Sequence, residues 1–124
     1  MPQYIKQNKP VRILVPGNKI IEEHFGKAST EHSDYSLAHM IAPPGWSEPA
    51  QKPVFDELTI MIRGKMQITT DEDTVTLEAG ESFLSPKNRL VQYANPFEEE
   101  SEYWAVCIPA FTPEGARRLE ENQQ

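Results

Sequence analysis

Residues 45–64 read GWSEPAQKPVFDELTIMIRG and residues 80–95 read GESFLSPKNRLVQYAN. In the first stretch, Glu57 to Ile62 (ELTIMI) carries the β-branched residues that suit a pleated, half-buried strand. Arg63-Gly64 then makes a tight corner into a second strand, Lys65 to Thr70 (KMQITT). Asp71-Glu72-Asp73 is a polar turn into Thr74 to Leu77 (TVTL), whose strict alternation completes a hairpin. In the second stretch, Glu78-Ala79-Gly80-Glu81 turns the chain into Ser82 to Ser85. Pro86 to Arg89 turns it again, and Leu90 to Ala94 follows as a strand.

Working outward, Val11 to Val15 is a short apolar run stopped by Pro16-Gly17, and Leu37 to Ile41 is another, stopped by Pro43-Pro44-Gly45. Tyr103 to Ile108 is a further strand, separated from Leu90 to Ala94 by the acidic loop Phe97 to Glu102. Helix is expected in two places. Ile20 to Phe25 (IIEEHF) suits a turn or so, confined by Gly17 and Gly26. At the C-terminus Thr112 can N-cap, Pro113 fits the first helical position and Glu114 sits at the positive end of the dipole, with Arg117 and Arg118 behind it and Asn122-Gln123-Gln124 fraying. The short strands, divided by many of the eleven prolines, imply an all-β chain: a small antiparallel β-barrel or jelly roll with a short C-terminal helix. We divide it into 1–34, an N-terminal strand and turn segment packing on the barrel; 35–111, the barrel; and 112–124, the helix and tail.

A chain of 124 residues with 38% apolar content is long enough for one domain with a real core. Its formal net charge of -7 argues against a phosphate-neutralising surface, so neither nucleic acid nor an anionic membrane is an expected partner. Cys107 is the only cysteine, so no internal disulfide is possible. No segment has the apolar length of a signal peptide or a membrane span, and a cytoplasmic protein is expected.

The two stretches resemble the paired motifs of the cupin superfamily, of RmlC-like fold. The first motif, G-x5-H-x-H-x3,4-E-x6-G, is matched at Gly45, Glu57 and Gly64, but its histidine places hold Gln51 and Pro53. The second, G-x5-P-x-G-x2-H-x3-N, is matched at Gly80, Pro86 and Asn95, with Asn88 in the inner glycine place and Val91 in the histidine place. The segment GW-x-EP-x-Q-x-P-x-FDE and the ending C-x-PAF-x-P are similar to those of small bacterial single-domain cupins. The resemblance implies a barrel whose usual three imidazoles and one carboxylate, ligands for Fe, Mn, Ni or Zn, are reduced to Glu57. A degenerate site with no resident metal or other cofactor is therefore expected. A divalent ion would need an atypical set such as Glu48, Glu57 and His39.

Parity places the remaining candidates. Positions 51, 53 and 57 share one strand face, as do 91, 93 and 95, so Gln51, Glu57, Val91 and Tyr93 are expected inside the barrel. Glu57, as a lone interior carboxylate, is either a general acid/base or ligand anchor, or is paired locally to Arg63, Lys52 or a hydroxyl. Met61 joins the pocket on the same face. His39 shares parity with Leu37 and Ile41, and either looks in beside Glu57 or is a hydrogen-bonded histidine at a strand edge. Trp46 and Glu48 suit a pocket rim, the indole as apolar wall and the carboxylate as polar handle, although Trp46 equally suits covering a barrel end. His24 and His32 read as solvated, and Cys107 as a small buried hydrophobe.

Three readings of function follow. The first is a binding module holding a small polar metabolite, of sugar or organic acid type, on Gln51, Glu57, Tyr93, Met61, His39, Glu48 and Trp46. The second is a small isomerase, epimerase or lyase with Glu57 as acid/base. The third is a barrel kept as an oligomer-forming unit or as a regulatory appendage of another enzyme. A homodimer is expected under all three, because exposed edge strands need a partner.

Overall fold

The structure, a computed structural model, describes residues 3–119. Nine strands occur in the order β1 (Val11–Arg12), β2 (Ile20–Phe25), β3 (Ser36–Ala42), β4 (Asp56–Arg63), β5 (Lys65–Thr70), β6 (Thr74–Glu78), β7 (Ser82–Ser85), β8 (Val91–Ala94) and β9 (Ser101–Ile108), followed by one turn of helix, α1 (Pro113–Ala116). All pairings are antiparallel. They build a six-stranded sheet, β1-β2-β3-β9-β4-β7, and a three-stranded sheet, β6-β5-β8. Bridges from Ser47 to Ala94 and from Gln51 to Val91 lay the segment before β4 along the free side of β8. The result is the all-β jelly-roll architecture expected from the alternation.

The helical reading of one segment changes. Ile20–Phe25 is a strand, not a helical turn: Ile21 and Glu23 alternate inward, and the segment pairs with β1 and with Leu37 to Ile41 of β3. A six-residue stretch between two glycines cannot sustain a helix alone, and the ladder offered by β3 satisfies its backbone instead. The short C-terminal helix expected is present. Thr112 does cap it, accepting from the Gly115 amide at 2.8 Å, but Arg117 takes a left-handed conformation (φ 49°) and ends it after one turn. The chain then folds back onto the segment before β4, where Arg118 bridges Gln51 and the Leu119 amide donates to the Ala50 carbonyl at 2.7 Å. The fraying expected at residues 122–124 lies outside the described residues.

The core is packed unevenly, and that is what makes room for a site. At one end Trp46, Met61, Met66, Ile68, Leu77, Val91, Tyr93 and Tyr103 form a continuous buried cluster. Toward the other end the inward positions of the large sheet are small: Ser36 and Ala38 on β3, Ala105 and Cys107 on β9. Small side chains on these neighbouring strands cannot fill the interior, so an opening remains between the sheets. Asn95, the last residue of the second motif, is fully buried. It donates to the carbonyls of Ala42 (3.1 Å) and Glu99 (2.8 Å) and accepts from the Phe97 amide (3.1 Å), pinning the turn into β9. That role is one of backbone satisfaction.

Candidate functional site

The opening is a cavity of about 50 Å³ for the centres of water molecules. One water needs roughly 10–15 Å³ on that measure, so the space takes several waters or a small solute. Glu57 enters it from β4, between Ser85 of β7 and Cys107 of β9. Tyr93 reaches it from β8 and Gln51 from the segment bridged to β8. Lys19, just before β2, and Arg118, from the C-terminal return, reach it from the two ends of the chain.

The charged groups here are poorly compensated. The Tyr93 hydroxyl donates to Glu57 Oε1 at a long 3.3 Å. Burial pushes the Glu57 carboxyl up to about 7, and the negative charge of Glu48 adds to this, while Lys19, the Tyr93 hydrogen bond and Arg118 pull the other way. Glu48 is also raised by burial, opposed by Lys19 and Arg118, and its Oε2 is buried without a hydrogen-bond partner. The Tyr103 hydroxyl is likewise buried, and neither atom has a partner among the described residues. Burial lowers Lys19 despite the pull of Glu48 and Glu57. Its ammonium lies 4.0 Å from the centroid of the Trp46 ring and 5.2 Å from that of Tyr103. Both tyrosines are held well above the ordinary phenol range, by burial first and then by the two carboxylates, so both keep their protons and that of Tyr93 is donated to Glu57.

Of the residues expected here, the structure brings together Gln51, Glu57, Tyr93 and Glu48. Trp46 lines a second cavity, walled also by Val15, Pro16 and Pro49, that adjoins the first. Met61 and Val91 face inward as expected but belong to the packed cluster and do not line the cavity. His39 is a correction: the inward positions of β3 are Ser36, Ala38 and Ala42, so Leu37, His39 and Ile41 look outward. The imidazole instead contacts Glu102 (2.7 Å) and Glu22 (3.4 Å), and Glu102 is lowered by His39 and then by Arg63. His39 is thus hydrogen-bonded, in mid-sheet between β2 and β9 and not at an edge. Arg63 pairs with Glu100 and Glu102, so Glu57 has a hydroxyl and no cation as its direct partner. His24 is half-buried against Trp104 and His32 stacks on Tyr35, both away from the cavity.

Sequence reasoning missed Lys19, Arg118 and Tyr103. The parity of Tyr103 with Ala105 and Cys107 could have found the tyrosine. No local signal could have found the two cations, because each arrives from a terminal segment.

A transition-metal ion does not fit the residues at the usual place. Pro53 and Val91 offer no donor, the Gln51 amide oxygen already faces Arg118 Nε at 3.5 Å, and Glu57 alone remains. Among the described residues no group of three or more His, Cys, Asp or Glu side chains converges as a metal site. Nor is any described helix long and apolar enough to cross a membrane.

Two antiparallel sheets around an interior, carboxylate-bearing cavity define a small β-barrel protein of jelly-roll type. The chain belongs to the cupin domain family, whose model matches residues 38–109. A Myxococcus xanthus protein named endoribonuclease YbeY is 44% identical over 117 residues, which is 88% of this chain and 40% of that protein. The chain thus spans about two fifths of that curated relative. Among solved structures, a Streptomyces PAC13 variant with uridine superimposes with a TM-score of 0.76 at 13% identity, covering 97% of this chain and 93% of that one. The polyketide cyclase RemF from Streptomyces resistomycificus does so with a TM-score of 0.75 at 15% identity, covering 98% and 89%. An RmlC-like cupin from Shewanella frigidimarina gives 0.71 at 13% identity, covering 89% and 93%. At these identities the likeness is one of fold.

Proposed function

We propose that this cupin binds a small polar metabolite, of sugar or organic acid type, in the cavity around Glu57 and without a metal ion. The observation that carries the reading is the set of polar atoms on cavity-lining side chains with little or no partner among the described residues: Glu48 Oε2, the Tyr103 hydroxyl, and Glu57 with its single long hydrogen bond. Each such group costs on the order of 1–3 kcal/mol when buried unmade, and a solute bearing hydroxyls relieves that cost. Calorimetric titration with a panel of sugars, sugar acids and small hydroxy acids is expected to give one-site binding, weakened about tenfold or more by Glu57→Gln. No heat and no rise in melting temperature with any member of the panel would end this reading.

A second reading, acid/base catalysis of an isomerase, epimerase or lyase type, is favoured by one further observation. The Glu57 carboxyl at about 7, beside a phenol that stays protonated, can take up or release a proton near neutral pH. Under it, Glu57→Gln abolishes turnover while a bound ligand is retained; retained turnover removes Glu57 as the base. The activity in the name of the Myxococcus xanthus relative fits better in the three fifths of that protein this chain does not match, since a chain of net charge -7 is poorly suited to phosphate backbones. A barrel of this kind would then be an appendage to such an enzyme.

We further infer a homodimer. Leu58, Ile60 and Ile62 on β4 and Leu84 on β7 form an outward apolar stripe, from 37% to 55% exposed, on neighbouring strands of the large sheet. A second copy covering this face buries it symmetrically. Light scattering is expected to give two chains per particle, and Ile60→Lys to give one; a wild-type monomer would remove the inference.

A further inference from the structure

The cavity around Glu57 and the one beneath Trp46 are not separate: Lys19, Ile21, Glu48 and Arg118 line both. The throat between them therefore carries two cations and one acid. The cations have bonding capacity to spare. Lys19 has no hydrogen-bond acceptor or ion-pair partner among the described residues and rests only on the faces of Trp46 and Tyr103. Arg118 spends Nε on Gln51 at 3.5 Å, and its terminal nitrogens have no partner among the described residues. Neither cation closes an ion pair with Glu48, whose Oε2 is buried and unbonded. All three charged groups line both cavities without pairing with one another.

We propose that the two cavities form one elongated site that selects hydroxylated carboxylic acids, the carboxylate bound by Lys19 and Arg118 and the hydroxyls donated to Glu48 and, deeper in, to Glu57. This rests on the reading that the Glu57 cavity takes a small polar solute. A neutral sugar leaves both cations unmatched, whereas an acid without hydroxyls leaves the Glu48 oxygen unbonded. Only a solute with both groups satisfies the throat, and charge-assisted hydrogen bonds to a carboxylate are the strong ones.

Calorimetry at neutral pH with D-gluconate, D-glucuronate, D-glucose and hexanoate tests this. One of the two sugar acids is expected to bind about tenfold or more tightly than glucose or hexanoate, and to weaken with added salt more than glucose does. Lys19→Met and Arg118→Gln are each expected to remove that preference, weakening the sugar acid about tenfold more than glucose. Arg118 is exposed at the rim, so its variant keeps the fold even if Lys19→Met does not. Equal affinity for acid and neutral sugar, or an acid preference that survives Arg118→Gln, overturns the throat assignment alone. Failure of every compound, glucose included, overturns it together with the cavity reading beneath it.

Discussion

Glu57→Gln is expected to stabilise the empty protein by about 3 kcal/mol above pH 8 and to leave its stability unchanged below about pH 4. In the folded chain the carboxyl holds its proton up to about 7, against an ordinary 4.5. Between those values the native state binds more protons than the unfolded one. The corresponding stability is therefore fully present below 4.5 and is lost as pH rises through 7. Glutamine carries no charge to desolvate and can still accept from the Tyr93 hydroxyl, so the variant escapes the loss. Urea unfolding of both proteins at acid, neutral and alkaline pH checks this; curves that run parallel at every pH would mean that the carboxyl is not desolvated. Such a cost at a cavity-lining side chain would support the binding role proposed above, since stability is commonly traded for function.

The second large effect is expected at the corner between β4 and β5. Gly64 has φ 76°, and a Cβ built there would lie 2.1 Å from the Glu100 carbonyl oxygen. Neither backbone can yield easily, because Gly64 joins the two sheets and Glu100 leads directly into β9, whose Ser101 hydroxyl bonds the Lys65 carbonyl. Gly64→Ala is expected to cost at least about 3 kcal/mol, from left-handed strain plus the clash. Gly80→Ala is the control: φ is 88°, but nothing lies within 4 Å of the added carbon. Its cost is expected to be about 1–2 kcal/mol, from strain alone. Thermal melts that rank the two equally would show that the approach to Glu100 does not matter.

The motif glycine at position 64 is thus explained by contact as well as by conformation, and Asn95 by the three backbone groups it satisfies. Both positions belong to the cupin frame, and neither has anything to do with a metal. This accounts for a chain that keeps the frame while its histidine places hold Gln51, Pro53 and Val91. The scaffold residues answer to the barrel, and the residues at the ligand places form a donor set that does not suit a transition-metal ion.

Where strand parity was read across an intact pattern it served well. Gln51, Glu57, Val91 and Tyr93 all face inward, because the pleat repeats every two residues and the flanking motif positions set its phase. Where the phase had no such anchor it failed. In β3 the apolar Leu37 and Ile41 suggested the wrong face, since the interior there is lined by small residues, Ser36, Ala38 and Ala42, which carry little hydrophobic signal. His39 went with the error. Ile20–Phe25 misled for a related reason: Glu23 breaks the apolar alternation, yet it is buried, its carboxylate held by the amides of Ala28 and Ser29 and the Ser29 hydroxyl. A buried acid whose partners lie in the following loop has no period to betray it.

By itself the amino-acid sequence determined the strands from β4 to β9, their corners, the capping of the last turn by Thr112, and the inward aim of Glu57, because propensity, alternation and capping are local and survive without knowledge of neighbours. Only the tertiary structure decided that Lys19 and Arg118, from opposite ends of the chain, meet Glu48 across one throat, and that small side chains on β3 and β9 leave the interior open. Those outcomes depend on which surfaces remain unfilled once the two sheets close, and a cavity is a property of packing that no single segment encodes.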